Sequence, residues 1–116
     1  MVDIGRASAL LFESGDMDER LSIVCYTTDA GGLVIERTSD GDLTQWSFEE
    51  SPHVVKTCLD VSSARALVEY YHLDEVDQVP AMLRLEFVGF ESDTQIRALL
   101  KRHAISYTIQ EAPIAR

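Results

Sequence analysis

The stretch LSIVCYTTDAGGLVIERTS, residues 21–39, decides the fold because it reads as two strands joined by a tight turn. Both halves are rich in β-branched or aromatic residues, which are typical of strands. The first half carries Ile23 and Cys25 on one face and Val24 and Tyr26 on the other, as a strand covered on both sides does. The letters DAGG between the halves are a hairpin signal. This stretch therefore predicts an antiparallel hairpin inside a sheet.

Further strands are predicted on both sides of this hairpin. Towards the N-terminus, residues 7–13 form a short apolar run that stops at the turn formers SGDMDE. Towards the C-terminus, residues 43–50 (LTQWSFEE) and 52–60 (PHVVKTCLD) each read as a strand. Residues 6–60 therefore predict an antiparallel meander of about five strands.

The spacing of apolar residues changes to a helical period after residue 60. Four apolar residues fall at i, i+3, i+4 and i+7, which is one stripe of a helix: Ala64, Leu67, Val68 and Tyr71. The candidates for its N-cap are Asp60, Ser62 and Ser63. The acidic letters DEVDQVP then end this helix.

A strand, a second helix and a last strand are predicted in the remaining chain. Residues 81–90 (AMLRLEFVGF) alternate as a strand does, with Leu83, Leu85 and Phe87 on one face. Residues 92–105 predict a helix in which Ser92 and Gln95 have capping-box spacing. Its buried stripe is predicted to be Ile96, Leu99, Leu100 and His103, with Asp93 near the positive helix start. Residues 105–110 predict the last strand, and residues 110–116 are expected to form a loose tail.

Strands first and helices later predict the α+β class, in one domain covering residues 1–116. We expect one twisted, mostly antiparallel sheet, a meander followed by α-β-α-β, with two helices on one face. The strand–helix–strand unit over residues 82–110 has the form of a parallel crossover. The other face of the sheet carries some apolar side chains and is available to a partner.

The segment SDTQIRALLKRHAISYTIQE, residues 92–111, resembles the helix-then-strand half of ferredoxin-like small domains. Such domains lead from a leucine-rich helix into an I-x-Y-x-I strand. The resemblance covers about a fifth of the chain. It implies a helix packed on a strand, and it implies no function.

The charge balance is the main signal about partners. Twenty acidic residues face ten basic ones, for a formal charge of −10. Residues 1–80 carry a net charge of −11 and residues 81–116 a net charge of +1. This balance argues against direct binding to nucleic acid, since phosphate binding needs a basic surface. A basic protein partner would be attracted to such a chain, and the solubility of a small acidic protein explains the same charge balance without a partner.

The sequence also bears on compartment and on cysteine chemistry. It has no run of about 18 apolar residues, so no membrane span is expected. The N-terminus lacks the basic start and the longer apolar run of a secretory signal, so we expect a cytoplasmic protein. Cys25 and Cys58 both fall in predicted strands, where free core thiols are expected.

The motifs that carry catalytic or metal chemistry are weakly represented. Asp40, Gly41 and Asp42 place a glycine between two acids, which does not match a calcium loop and predicts a hairpin turn instead. The three histidines, His53, His72 and His103, have no paired metal spacing. There is no nucleotide-binding glycine motif and no nucleophile elbow. We therefore expect no cofactor, no metal and no catalytic set.

These observations favour a small non-enzymatic protein that covers a basic partner, as an inhibitor, an immunity protein or a nucleic-acid mimic does. The candidate surface combines acids, mostly at turns, with aromatic anchors. Its members are Asp16, Asp18, Glu19, Asp40, Asp42, Trp46, Glu49, Glu50, Tyr70, Asp74, Glu75 and Asp77. The alternative is a homodimer or larger homo-oligomer that uses the open sheet face for self-association or for a small ligand. An enzyme with a pocket between sheet and helices is a third hypothesis.

Overall fold

The structure is a computed structural model that describes residues 7–15, 19–41 and 53–113. The strands are β1 (Ser8–Gly15), β2 (Glu19–Thr27), β3 (Leu33–Gly41), β4 (His53–Leu59) and β5 (Thr108–Pro113). The helices are α1 (Val61–Tyr70), a 3₁₀ turn (Val76–Gln78), α2 (Val79–Glu86) and α3 (Ser92–Arg102). The strands form one sheet in the order β1-β2-β3-β4-β5, and each neighbouring pair is antiparallel. The predicted α+β class is confirmed, with three α-helices in the described residues instead of two.

The hairpin between β2 and β3 is confirmed. Cys25 pairs with Ile35 across the two strands. In the turn, the Gly31 amide donates to the Thr28 carbonyl at 3.0 Å, and Gly31 adopts a φ of 92° that side-chain-bearing residues rarely adopt. A Cβ on Gly32 would lie 2.6 Å from the Leu59 carbonyl oxygen of β4. The two glycines thus serve the turn and its close approach to the neighbouring strand.

The end of β3 corrects the predicted turn at residues 40–42. Asp40 and Gly41 are the last residues of β3 and pair with Arg20 and Glu19 of β2. The ladder of hydrogen bonds with β2 holds them extended, which outweighs the local turn preference of an Asp-Gly pair. β3 also pairs directly with β4. Asp42 and the strand predicted over residues 43–50 lie outside the described residues.

One face of the sheet carries the core. Ile23, Cys25 and Ile35 are buried on this face, opposite apolar residues of the helices. The helices contribute Ala64, Leu67, Val68, Val76, Val79, Leu83, Ile96, Leu99 and Leu100. The helices therefore cover one face, as predicted, and the opposite face of the sheet is called the open face below.

Helix α1 begins as the sequence predicts. Asp60 is its N-cap, and its Oδ1 accepts a 2.8 Å hydrogen bond from the Ser63 amide. The predicted stripe is buried at Ala64, Leu67 and Val68 and half-buried at Tyr71.

Residues 79–86 form helix α2, so the strand predicted over residues 81–90 is wrong. Pro80 lies in the first turn of the helix, where its missing N–H costs nothing. Val79 and Leu83 are fully buried one turn apart, whereas Leu85 points to solvent. The alternation of apolar residues was coincidental, because the buried positions follow the helical period. The predicted parallel crossover is also wrong, since β5 pairs antiparallel with β4.

Helix α3 is confirmed, but its cap and stripe differ in detail from the prediction. Its N-cap is Glu91, which makes no side-chain capping bond, so the predicted Ser92–Gln95 capping box is wrong. Ser92 is already the first helical residue and is fully buried. The predicted buried residues Ile96, Leu99 and Leu100 are confirmed. His103, the C-cap, is exposed, because it lies where the helix leaves the core.

The last strand starts later and extends further than predicted. β5 begins at Thr108, and Val55 of β4 pairs with Glu111. Residues 111–113, which the sequence placed in a loose tail, therefore belong to the sheet. Pairing with β4 orders them despite their weak strand preference. Residues 114–116 of the predicted tail lie outside the described residues.

Candidate functional site

Three of the predicted acids lie together in the turn after α1. We call Asp74, Glu75 and Asp77 the acidic turn. Asp74 and Glu75 are exposed, and Asp77 is half-buried. The Gln78 Oε1 atom accepts hydrogen bonds from the Asp74 and Glu75 amides at 2.7 and 3.1 Å. The side chain of Gln78 thus fixes the backbone that presents two adjacent carboxylates to solvent.

Tyr70, the predicted aromatic anchor, is the last residue of α1. It is 41% exposed. Its ring contacts the ring of His103, the C-cap of α3, at a centroid distance of 4.4 Å and meets the Tyr71 ring edge-on at 4.8 Å. These contacts hold the ring in place and leave part of it accessible. Four positions separate it from Asp74, and His72 reverses the chain between them with a φ of 57°.

Tyr71 connects the end of α1 with the end of α2. It is half-buried, and burial together with the nearby Glu86 carboxylate raises the pKa of its phenol above the ordinary value. The phenol is therefore neutral at physiological pH. Glu86 is the last residue of α2, so the two helix ends lie close together.

Within the residues that the structure describes, none of the other predicted acids lies at the acidic turn. Asp40 lies in β3 with its Oδ2 atom 4.0 Å from an Arg20 guanidinium nitrogen, at the end of β3 away from the residues that lead into α1. Glu19 begins β2, and only its backbone is described. The remaining candidates lie outside the described residues: Asp16, Asp18, Asp42, Trp46, Glu49 and Glu50. Their place in a binding surface stays a prediction.

A group of exposed apolar side chains, at the end of α2 and in the loop that leads to α3, was not predicted from the sequence. Leu85, Val88 and Phe90 are 81%, 68% and 59% exposed. We call residues 85–90 the apolar segment. It was missed because a strand over residues 81–90 would have placed Leu85 beside buried Leu83. The sequence does contain a signal for it. Pro80 is typical of the first turn of a helix, and in a helix Val79 and Leu83, four positions apart, share the buried face. Leu85 then falls on the exposed face.

A buried carboxylate and two arginines join β3 to the start of α3. Asp93 is 2% exposed, and its Oδ1 atom accepts a 3.0 Å hydrogen bond from Arg37. Its Oδ2 atom lies 3.4 Å from an Arg97 guanidinium nitrogen. The same nitrogen of Arg97 reaches the Thr57 hydroxyl of β4 at 3.1 Å, and Arg37 also donates to the Phe90 carbonyl at 2.8 Å. The sequence indicated only that Asp93 favours the helix start.

An open pocket of about 380 Å³ lies beside these arginines. Its charged lining residues are Arg37, Arg97, Glu91, Asp93 and Glu111. Three carboxylates against two guanidinium groups leave no excess of positive charge. The cluster therefore fits a structural tie between sheet and helix better than a site that selects anions.

The two cysteines lie on opposite faces of the sheet. Cys25 faces the core and pairs with Ile35, whereas Cys58 faces the open side and pairs with Val34. Two strand spacings separate β2 from β4, about 10 Å, which is too far for a disulfide. Burial raises the pKa of both thiols, so neither is an activated thiolate.

The open face is mixed in character. The Tyr26 hydroxyl donates to a Glu36 carboxylate oxygen at 2.9 Å, and the Lys56 ammonium lies 3.8 Å from the same oxygen. In the neighbouring row, Val34 pairs with Tyr26 and both residues are buried, whereas Leu10 is an exposed apolar residue on this face. Self-association through the open face stays a prediction.

The described residues hold no group of three or more histidine, cysteine, aspartate or glutamate side chains placed to bind a metal ion. None of the described helices is long and apolar enough to cross a membrane. Comparisons with protein-family models, curated proteins and solved structures give no match to this chain, so functional inference rests on its own residues.

Proposed function

We propose that this chain is a non-enzymatic binding protein that covers a basic surface of another protein. Inhibitors, immunity proteins and nucleic-acid mimics act in this way. The observation that carries the proposal is the acidic turn that follows Tyr70 along the chain. There, two exposed carboxylates lie on a backbone held by Gln78, and a partly exposed aromatic ring precedes them by four and five positions.

The chemistry of this surface suits a basic partner. The formal charge of −10 attracts a positively charged protein at long range and raises the rate of encounter. At contact, a partly exposed tyrosine supplies the apolar area that charges lack, and tyrosine is enriched at the centres of protein interfaces. Salt screens the long-range attraction, so binding is expected to weaken as ionic strength rises.

In this proposal the chain acts in the cytoplasm. Cys25 and Cys58 are free thiols, and free thiols are usual in a reducing compartment.

The test compares two variants that remove the same charge from different places. Asp74→Asn with Glu75→Gln neutralises the acidic turn, and Glu13→Gln with Asp29→Asn neutralises two exposed acids elsewhere. Basic proteins of the native host are first enriched on a cation exchanger and passed over each immobilised chain. A retained protein is then purified and its association rate measured at several salt concentrations.

We expect the turn variant to associate about tenfold more slowly than the native chain at low salt, with a flatter salt dependence. The matched control should change by about twofold or less. Equal effects of the two variants would show that only total charge matters. Failure of the native chain to retain any protein of this basic fraction would contradict the proposal.

A further inference from the structure

The three most exposed large apolar side chains of the described residues lie in one short segment. Leu85, Val88 and Phe90 are 81%, 68% and 59% exposed, whereas the other exposed large apolar residues are between 41% and 47% exposed. Single exposed apolar residues are ordinary on a protein surface, but larger apolar patches mark interaction sites. The apolar segment is therefore a candidate interface, and it is separate from the residues on which the proposed function rests.

The backbone of the apolar segment is held in place by contacts with the rest of the fold. The Phe87 amide donates to the Leu83 carbonyl at 2.7 Å, and the Phe87 side chain is half-buried against the core. The Arg37 guanidinium of β3 donates to the Phe90 carbonyl at 2.8 Å. A surface whose backbone is already ordered loses little conformational entropy when a partner binds.

The apolar segment is short enough to fit inside one interface. Five chain steps separate Leu85 from Phe90, so their Cα atoms are at most about 18 Å apart, whatever the course of the loop. A standard interface covers about 800 Å² on each partner, roughly 30 Å across. The three side chains can therefore share one apolar centre, and the residues just outside the segment fall within its polar rim.

The charges that border the apolar segment are of both signs. Exposed Arg84 precedes it, exposed Glu91 follows it, and neither makes an ion pair within the part of the chain that the structure describes. Residues 81–116 carry a net charge of +1, against −11 for residues 1–80. Repulsion between two copies of this acidic chain is therefore weakest where residues of the second range meet.

A second copy of the chain is complementary to such a surface. In a two-fold symmetric dimer the same patch meets itself, so each contact occurs twice. If the axis passes through the middle of the segment, the start of one segment lies opposite the end of the other. Arg84 of each copy then lies opposite Glu91 of the other, and the apolar side chains meet between these two pairs.

We infer that the apolar segment is the contact surface of a homodimer, in which Leu85, Val88 and Phe90 are buried against the same residues of a second copy. This inference does not depend on the proposed function. Salt should strengthen the dimer, because it screens the long-range repulsion between two chains of formal charge −10. Salt should weaken binding to a basic partner, so the two interactions respond to ionic strength in opposite directions.

The experiment measures sedimentation of the full chain over a range of protein concentrations, at low and at high salt. Two variants test the segment: Leu85→Ser with Phe90→Ser, and Leu85→Ser with Val88→Ser. The matched control is Leu10→Ser with Ile109→Ser, which changes two exposed apolar residues of the sheet. Thermal unfolding checks that each variant is folded.

We expect the native chain to dimerise more tightly at high salt, each segment variant to weaken the dimer at least tenfold, and the control to stay within about threefold. A native chain that remains monomeric at the highest concentration would overturn the inference. So would a dimer that the control weakens as much as the segment variants do. Either result leaves binding to a basic partner, which is measured separately, as it stands.

A charge reversal tests the two-fold arrangement itself. Arg84→Glu leaves only carboxylates at both ends of the segment, and Glu91→Arg leaves only guanidinium groups, so each variant should dimerise more weakly than the native chain. Mixed in equal amounts, the two variants should associate with each other at least tenfold more tightly than either does with itself. Mixing without this gain would contradict the pairing of Arg84 with Glu91.

Discussion

Asp93 is the residue at which sheet and helix are most closely tied. Its carboxylate is almost completely buried and contacts two guanidinium groups, from β3 and from α3 itself. Removing the charge from such a buried group leaves both arginines without their shared counter-ion. The ion pair of Arg20 and Asp40, 4.0 Å apart, is exposed to water and serves as a comparison.

We expect Asp93→Asn to lower the free energy of unfolding by about 2–4 kcal/mol, since a buried ion pair is costly to break. Asp40→Asn should lower it by less than about 1 kcal/mol, because water screens the exposed pair. Urea unfolding at neutral pH measures both values. Similar losses in the two variants would refute a structural role for the buried cluster.

Cys25 makes the stability of the protein depend on alkaline pH. Its thiol is fully buried in the core, and burial raises its pKa above the ordinary value of 9.0. Unfolding releases the thiol to water, where it ionises near pH 9. The unfolded state therefore holds fewer protons than the folded state above that pH, and stability falls as pH rises.

We expect the Cys25 thiol to add no pH dependence to the free energy of unfolding below about pH 9. Above about pH 9 it should lower that free energy by up to about 1.4 kcal/mol per pH unit. Cys25→Ala should be less stable at neutral pH but should fall less steeply between about pH 9 and pH 11. Cys58→Ala, at the less buried thiol, is the comparison. Urea unfolding across this range measures the slopes, and identical slopes for native chain and Cys25→Ala would contradict the assignment.

At the scale of elements, α2 is the clearest departure from sequence-based expectation. Its eight residues contain both an alternating and a helical pattern of apolar side chains. In a segment this short, tertiary contacts decide whether it forms a strand or a helix. Val79 and Leu83 fit into the core only as a helix, which leaves Leu85 on the surface. The same error concealed the apolar segment.

Helix α2 can be tested with two neighbouring leucines. We expect Leu83→Ala to lower the free energy of unfolding by about 2–5 kcal/mol, because it opens a cavity in the core. Leu85→Ala should change it by about 0.5 kcal/mol or less, since its side chain is mostly in water. A strand would place both side chains on one face, so equal losses would contradict the helix.

At the scale of the whole molecule, the sequence predicted the class, the sheet hairpin, α1 and α3, because these elements have long periodic patterns and clear turn or cap residues. The candidate site was predicted only in part. The acidic turn and Tyr70 follow from local composition. The cluster around Asp93 joins Arg37 to residues 56 and 60 positions later, and one sequence does not show such contacts. The ends of β3 and β5 were missed because cross-strand pairing extends them.

The antiparallel pairing of β4 with β5 has a consequence for how the chain folds. Tyr26 and Val34, which pair in the first hairpin, are eight positions apart, so the loop between them closes quickly. Lys56 of β4 pairs with Gln110 of β5, 54 positions later, so this pairing closes a much longer loop. Long loops close slowly and at a larger entropic cost. During synthesis, β4 therefore keeps an unpaired edge until β5 has left the ribosome. Nascent chains are most prone to aggregate in that interval.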